Sequence, residues 1–326
     1  MSFYQVLWYF LIYSFIGWIV EVIFHEVTLG MIVNRGFLNG PVCPIYGFGV
    51  LSVFAMAFFA GYSEGALETV PIWLLLTGGT LLATAVELLG GLILDLCFHV
   101  RWWDYSDKPF NLHGYICLQF SLAWGLGIAF VLRVIHHYIH AAVTGLTPVQ
   151  IGIPVLAAAY LVYLTDAVVT VLTVIRLNRY LRELDDMQKK LRLVSDTLRD
   201  AIGTSTYVTK NTLGRSGKRA IRASSALYRS AANAGAQIGT GVRYIRHGIS
   251  SAIIGARERF YAKLSEVVGI VQKERHFGMG RLLRSNPGMK HREYPELVAK
   301  LQRELGIRTG KSGTDTDEPG NCRDKK

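Results

Sequence analysis

Five stretches of roughly twenty apolar residues fall within the first 175 positions, and no other feature constrains the chain as much. A helix of that length crosses the hydrocarbon core of a bilayer, about 30 Å thick. The stretches are 3–24, 42–60, 72–96, 115–139 and 151–175. They predict an all-α, polytopic membrane domain over 1–175 with five transmembrane helices. The first has no basic region before it and no small-residue cleavage site after it, so it reads as a retained span. The third carries Glu87, Gly90, Gly91 and Asp95, which predicts a tilt or a break.

Charge divides the chain at the same place. Residues 1–175 hold 4 Lys and Arg against 9 Asp and Glu, whereas 176–326 hold 31 against 15. A basic, water-facing or membrane-surface half therefore follows the membrane half. Mean hydropathy of +0.28 argues against an ordinary soluble domain and excludes collagenous or wholly disordered classes. Cys43, Cys97, Cys117 and Cys322 show no regular spacing, so no disulfide framework or zinc site follows from them.

Lys and Arg in short loops set orientation. The 25–41 connection holds Arg35, and the 97–114 connection holds Arg101 and Lys108; the 61–71 and 140–150 connections hold neither residue type. Arg176, Arg179 and Arg182 follow the fifth span. The expectation is a multi-pass cell-membrane protein with its N-terminus outside and its C-terminus cytoplasmic. Arg133 is the one dissenting charge. Trp73, Trp102, Trp103 and Tyr138 lie near span ends and read as interfacial aromatics.

Residues 176–275 read as cytoplasmic amphipathic and coiled-coil helices. Leu177, Tyr180, Leu184, Met187, Leu191, Val194 and Leu198 form a heptad seam, which either pairs two protomers or packs on the chain's own tail. An 11-residue period follows over 238–271, on Ile238, Ile249, Phe260 and Val271, with parallel rows from Val242 and Ile245. That helix either lies on an anionic inner leaflet, flanked by Arg243, Arg246 and Arg257, or folds back on 177–198. Residues 276–326 read as a mostly disordered basic tail. The Walker-like run from Gly306 to Ser312 is one residue short and lacks a strand before it, so it cradles no phosphate. Anionic lipid accounts for the basic tail more simply than nucleic acid does.

Glu21, Glu87, Asp95 and Asp166 fall in the cytoplasmic half of the spans. A charge near the bilayer centre costs about 2.5–3.5 kcal/mol on insertion scales, so each needs a reason. One reading is interhelical glue, with Arg35 pairing Asp104 as an example. The other is a polar cavity open to the cytoplasm for a cation, a proton or a headgroup, with Glu87 deepest. His136 and His140 are one turn apart, but no third ligand accompanies them, so no metal is expected.

Two loops are dense in motif residues: NRGFLNGPVCPIYGFG (34–49) and WDYSDKPFNLHGYICLQFSLAWG (103–125). Pro41 and Pro44 block helix, while Gly36, Gly40 and Gly47 permit tight turns or close packing. Such backbone survives at membrane depth only when buried in protein or lining a cavity. With GWIVEVIF (17–24) and the span around Glu87, these segments resemble a bacterial family of ABC-transporter type IV membrane proteins (CmpB-like). The resemblance covers about residues 5–135 and falls on Glu21, Asn34, Arg35, Gly36, Phe37, Gly40, Pro41, Pro44, Tyr46, Gly47, Glu87, Trp103, Asp104, Tyr105, Gly114 and Trp124. It implies a permease-type integral membrane protein and is silent on the tail.

The leading expectation is thus a transporter permease subunit with a cytoplasm-facing polar site at Glu21, Asn34, Arg35, Glu87, Asp104 and Tyr105. Gly36, Gly40, Pro41, Pro44, Gly47 and Trp103 would shape that site. No Walker A motif is present, so any ATPase would be a separate chain, and no cofactor is expected. Partners would be the bilayer, anionic inner-leaflet lipid and a second copy through 177–198. The alternatives are a membrane-anchored scaffold acting through its coiled coil, and a protein handling lipid headgroups, with Asp104, Tyr105 and Glu87 as acid–base groups.

Overall fold

The computed structural model describes residues 2–30, 32–146, 148–216, 251 and 253–307. Helix α1 is Phe3–Leu29, opened by a capping box between Ser2 and Gln5 and closed by Gly30 at φ +67°. Helix α2 is Pro44–Phe59, with proline in its first turn. A 3₁₀ turn, Glu64–Thr69, leads to α3, Ile72–Phe98. Strands β1 (Val100–Arg101), β2 (Asn111–Leu112) and β3 (Ile116–Cys117) mark the next connection. Helix α4 (Leu118–Phe130) continues through a π turn into α5 (His136–Ala141). Helix α6 runs Val149–Ser216, and α7 covers 253–273. Then come α8 (Met279–Ser285), β4 (Lys290–His291) and α9 (Pro295–Glu304).

Among the described residues, four helices are long and apolar enough to cross a membrane: Phe3–Thr28, Ile72–Phe98, Leu118–Gly145 and Val149–Leu193. The expected span at 42–60 is α2, whose 16 residues rise about 24 Å. It is short because Pro41 and Pro44 hold the preceding segment out of helix. Helix α3 is continuous, so of the expected tilt or break the break does not occur. Its buried residues recur every fourth position: Leu75, Gly79, Ala83, Glu87, Gly91 and Asp95. Ser121, Gly125 and Ala129 repeat the spacing on α4. These small-residue ridges let α3 and α4 meet closely, which is how membrane helices associate without a hydrophobic drive. A Cβ on Gly125 would strike Thr80.

At the opposite end from the motif loops, Arg133 donates to the carbonyls of Glu68 and Val70. The dissenting charge is therefore pinned to the 61–71 connection. The interior at this end is aromatic: Tyr9, Tyr13, Phe54 and His136 are in mutual ring contact. The hydroxyls of Tyr13 and Tyr9 each lie 2.7 Å from Nδ1 of His136 and His140.

Two compact units divide the described chain. One holds the residues up to Asn178 and those from Ile270 on; the other is Arg179–Gly269. In the first, residues 276–307 are ordered, against the expected disorder. Met279, Leu282, Leu283, Leu297, Val298 and Leu301 are buried, and β4 pairs antiparallel with β1, Val100 opposite His291. In the second, Lys263 on α7 pairs with Glu183 at 3.4 Å and lies over the Tyr180 ring. This is the fold-back reading of the 11-residue helix. Its apolar row is covered, since Phe260, Leu264 and Val267 are buried, so within 253–271 that row is not available to a membrane surface. On α6 the buried row is Val174, Leu177, Leu181 and Leu184, which shares only Leu177 and Leu184 with the expected heptad seam. Ile238, Val242, Ile245 and Ile249, the side chains of Val194 and Leu198, and residues 308–326 lie outside the described residues.

Candidate functional site

The 34–43 loop is held by its own Asn34 and by three side chains from elsewhere in the chain, Trp18, Asp166 and Arg281. Asn34 accepts from the Trp18 indole at 2.9 Å and from the Gly36 amide at 3.2 Å, and donates to the Asn39 carbonyl at 2.6 Å. Asp166 accepts from the Asn39 amide at 3.1 Å and the Gly40 amide at 2.7 Å. Arg281 on α8 is buried and spreads its guanidinium over the loop. Nη1 donates to the carbonyls of Asn34 and Gly36, Nη2 to that of Phe37, and Nε to Oδ1 of Asn39. Burial lowers the Arg281 pKa to about 10. With its backbone so satisfied, the loop can stay irregular inside the protein.

The loop after α3 is fixed by ions at its two ends. Asp95 accepts from Arg101 Nε at 3.2 Å and from the Tyr115 hydroxyl, and Arg292 Nη1 lies 3.6 Å away. Asp104 takes Lys290 and both donors of Ser106. Partial burial alone would raise the Asp104 carboxyl, but the Lys290 and Ser106 hydrogen bonds outweigh it and hold the pKa at about 2. The expected pair of Arg35 with Asp104 is not formed. Each takes a different partner, because Arg35 faces the interior whereas Asp104 faces β4.

Between these loops lies a cavity of about 120 Å³, walled by α1 to α4. Glu21, Tyr46, Glu87, Trp103, Tyr105 and Trp124 line it. The Tyr105 hydroxyl donates to Glu87 Oε1 at 3.0 Å. Burial and the neighbouring Glu87 carboxylate raise the phenol above its ordinary range, so Tyr105 remains a donor. Glu87 Oε2 is buried and has no hydrogen bond of ordinary length among the described residues; the Trp124 indole is the further donor facing this carboxylate. Glu21 accepts from the Tyr46 hydroxyl at 2.9 Å and is 3.5 Å from Arg35. A second cavity, of about 480 Å³, shares Glu21, Tyr46 and Trp103 and reaches Arg35, Gly36 and Phe37.

Of the six expected site residues, Glu21, Arg35, Glu87 and Tyr105 converge. Asn34 and Asp104 are spent on loop structure. The glycines act by close approach. A Cβ on Gly47 would meet Phe10 and Ser14, one on Gly36 would touch Cys43, and one on Gly40 would touch Asp166. Pro41 and Pro44 set the entry to α2. Trp102 and Trp103 face protein: Trp102 is buried against Phe37, and Trp103 walls the cavity while donating to the Tyr115 carbonyl. Tyr46 and Trp124 were family-motif positions but not expected site residues. Their cue is an aromatic opposite a buried carboxylate, which only the fold supplies.

No curated protein matches this chain, and no solved structure does. The family described as "Putative ABC-transporter type IV" matches residues 8–171, half of the chain. That range takes in every cavity-lining residue named here, and with the four long apolar helices it fits a multi-pass, transporter-like membrane protein. The chain belongs to the ABC-transporter type IV family of CmpB type.

Proposed function

We propose that the chain is the membrane subunit of a transporter, presenting the Glu21–Glu87 cavity to the cytoplasm and driven by an ATPase on a separate chain. The observation that carries this reading is a buried carboxylate in a cavity bounded by four helices and two motif loops.

Five spans are supported by connectivity. Arg281 touches the 34–39 loop and β4 pairs with β1, so one docked segment joins both motif loops. The loops then lie at one end of the bundle. Since α3 crosses between them, α2 must cross as well. The end they share carries Arg35, Arg101 and Lys108, which supports a cytoplasmic placement beside anionic lipid. The same docking favours a tail that belongs to the membrane machinery over a scaffold merely anchored by the spans.

The test is purification of the full-length protein from native membranes in mild detergent, with mass spectrometry of what accompanies it. A stoichiometric partner with a complete Walker A motif is expected. Recovery of the chain alone or only with its own copies, the latter lost on removing 177–198, would overturn the ATPase-coupled reading in favour of a scaffold.

A further inference from the structure

Charge balance in the cavity is uneven. Glu21 has Arg35 at 3.5 Å and the Tyr46 hydroxyl at 2.9 Å, so its charge is compensated. Glu87 is 6% exposed and has no cation beside it among the described ion pairs. Its Oε2 is buried without a hydrogen bond of ordinary length. The cavity therefore offers one uncompensated carboxylate. A carboxylate so placed either takes up a proton or draws a counter-charge from outside the chain.

The walls decide what kind of cation fits. Trp103, Trp124, Tyr46 and Tyr105 supply aromatic faces and edges, and the rest is aliphatic. Hard metal cations need six or more oxygen ligands, or several retained waters. Here one carboxylate oxygen lacks a hydrogen bond of ordinary length, and among the described residues no three His, Cys, Asp or Glu converge. An organic ammonium ion has the opposite needs: a single counter-charge and π-rich walls in place of its weak hydration shell. The cavity's 120 Å³ is large beside the roughly 10–15 Å³ that admits one water.

From this juxtaposition of Glu87 with Trp103, Trp124, Tyr46 and Tyr105 we infer that the cavity binds a small monovalent organic ammonium ion. This deepens the transporter reading by naming its substrate class. Arg35 disfavours dications, because it already occupies the second carboxylate.

The experiment is isothermal titration calorimetry on the purified full-length protein in detergent. The probes are tetramethylammonium, choline and benzyltrimethylammonium chlorides. The controls are sodium chloride and 3,3-dimethylbutan-1-ol, the uncharged analogue of choline. Saturable binding of at least one ammonium is expected, with the alcohol at least about tenfold weaker. Glu87→Gln and Trp124→Leu should each weaken binding by about tenfold or more while the protein stays monodisperse. If no ammonium saturates, or the alcohol binds equally, or a monodisperse Glu87→Gln protein binds as wild type does, the inference falls. An ATPase captured beside a cavity that takes no ammonium would leave the transporter reading standing and remove only this substrate class. Ammonium binding with no ATPase would do the reverse.

Discussion

A single guanidinium does at the residue scale what regular secondary structure cannot do for the 34–40 loop. Arg281 meets three carbonyls and one side-chain amide oxygen in one plane. Lysine has one nitrogen and no planar fork, so it cannot reach all four. Arg281→Lys should therefore destabilise the protein by about 1–3 kcal/mol, read as a lower melting temperature in detergent, because buried carbonyls lose their donors. Arginine's partner in the sequence could not have been guessed, since Asn39 lies 242 positions away. Glu21 and Glu87 were legible for the opposite reason: a carboxylate inside an apolar run stands out by itself. Their unlike states were not legible, because those depend on Arg35 reaching one and not the other.

At the scale of elements, the α3–α4 seam and the docked C-terminal segment carry the next predictions. Gly125 lies where a Cβ would press on both the backbone and the side chain of Thr80. Gly125→Ala should cost about 1–3 kcal/mol by forcing the two helices apart, measured again by thermal unfolding. The docked segment should respond to acid in two stages. His291 is buried, accepts the amides of Glu293 and Tyr294 at Nδ1, and faces Asn178 through Nε2. Burial lowers its pKa from 6.5 to about 4, so below pH 6.5 the unfolded segment takes up a proton that the docked one refuses. Stability from this group is full above pH 6.5 and is lost between there and about 4. Asp104 is held from 3.8 down to about 2, so its share is full above 3.8 and is lost as the pH falls toward 2. Hydrogen exchange of the Glu293 and Tyr294 amides, corrected for intrinsic rate, should show protection falling in the first window. Asp104→Asn should remove only the second. Helices α1, α3, α4 and α6 were readable from hydropathy because burial in lipid needs long apolar runs. The C-terminal segment was not, because α8 and α9 are short and flanked by Gly278, Pro287 and charge. Their row of Leu297, Val298 and Leu301 becomes a core only against loops distant in sequence.

For the whole molecule, the end that holds both motif loops also holds the docked segment, and this makes orientation the property on which the cavity's meaning turns. Arg35, Arg101 and Lys108 lie at that end, while the far end has Glu68 and an Arg133 already engaged with backbone carbonyls. In the orientation proposed above, with positive charge retained on the cytoplasmic side, the cavity mouth opens inside the cell. Exposed positions at the two ends test this directly. With Cys43, Cys97, Cys117 and Cys322 replaced by alanine, Ser63→Cys should react with a membrane-impermeant maleimide on intact cells. Lys108→Cys should react only after permeabilisation. That pattern shows that α3 crosses; Ile32→Cys, exposed ahead of α2, should behave as Lys108→Cys does, and this tests whether α2 crosses as well. Labelling of Ile32→Cys and Ser63→Cys from the same side would mean that α2 turns back without crossing. Reversed labelling at all three positions would keep the crossings of α2 and α3 but turn the Glu21–Glu87 cavity outward, making it a site for capture from the medium.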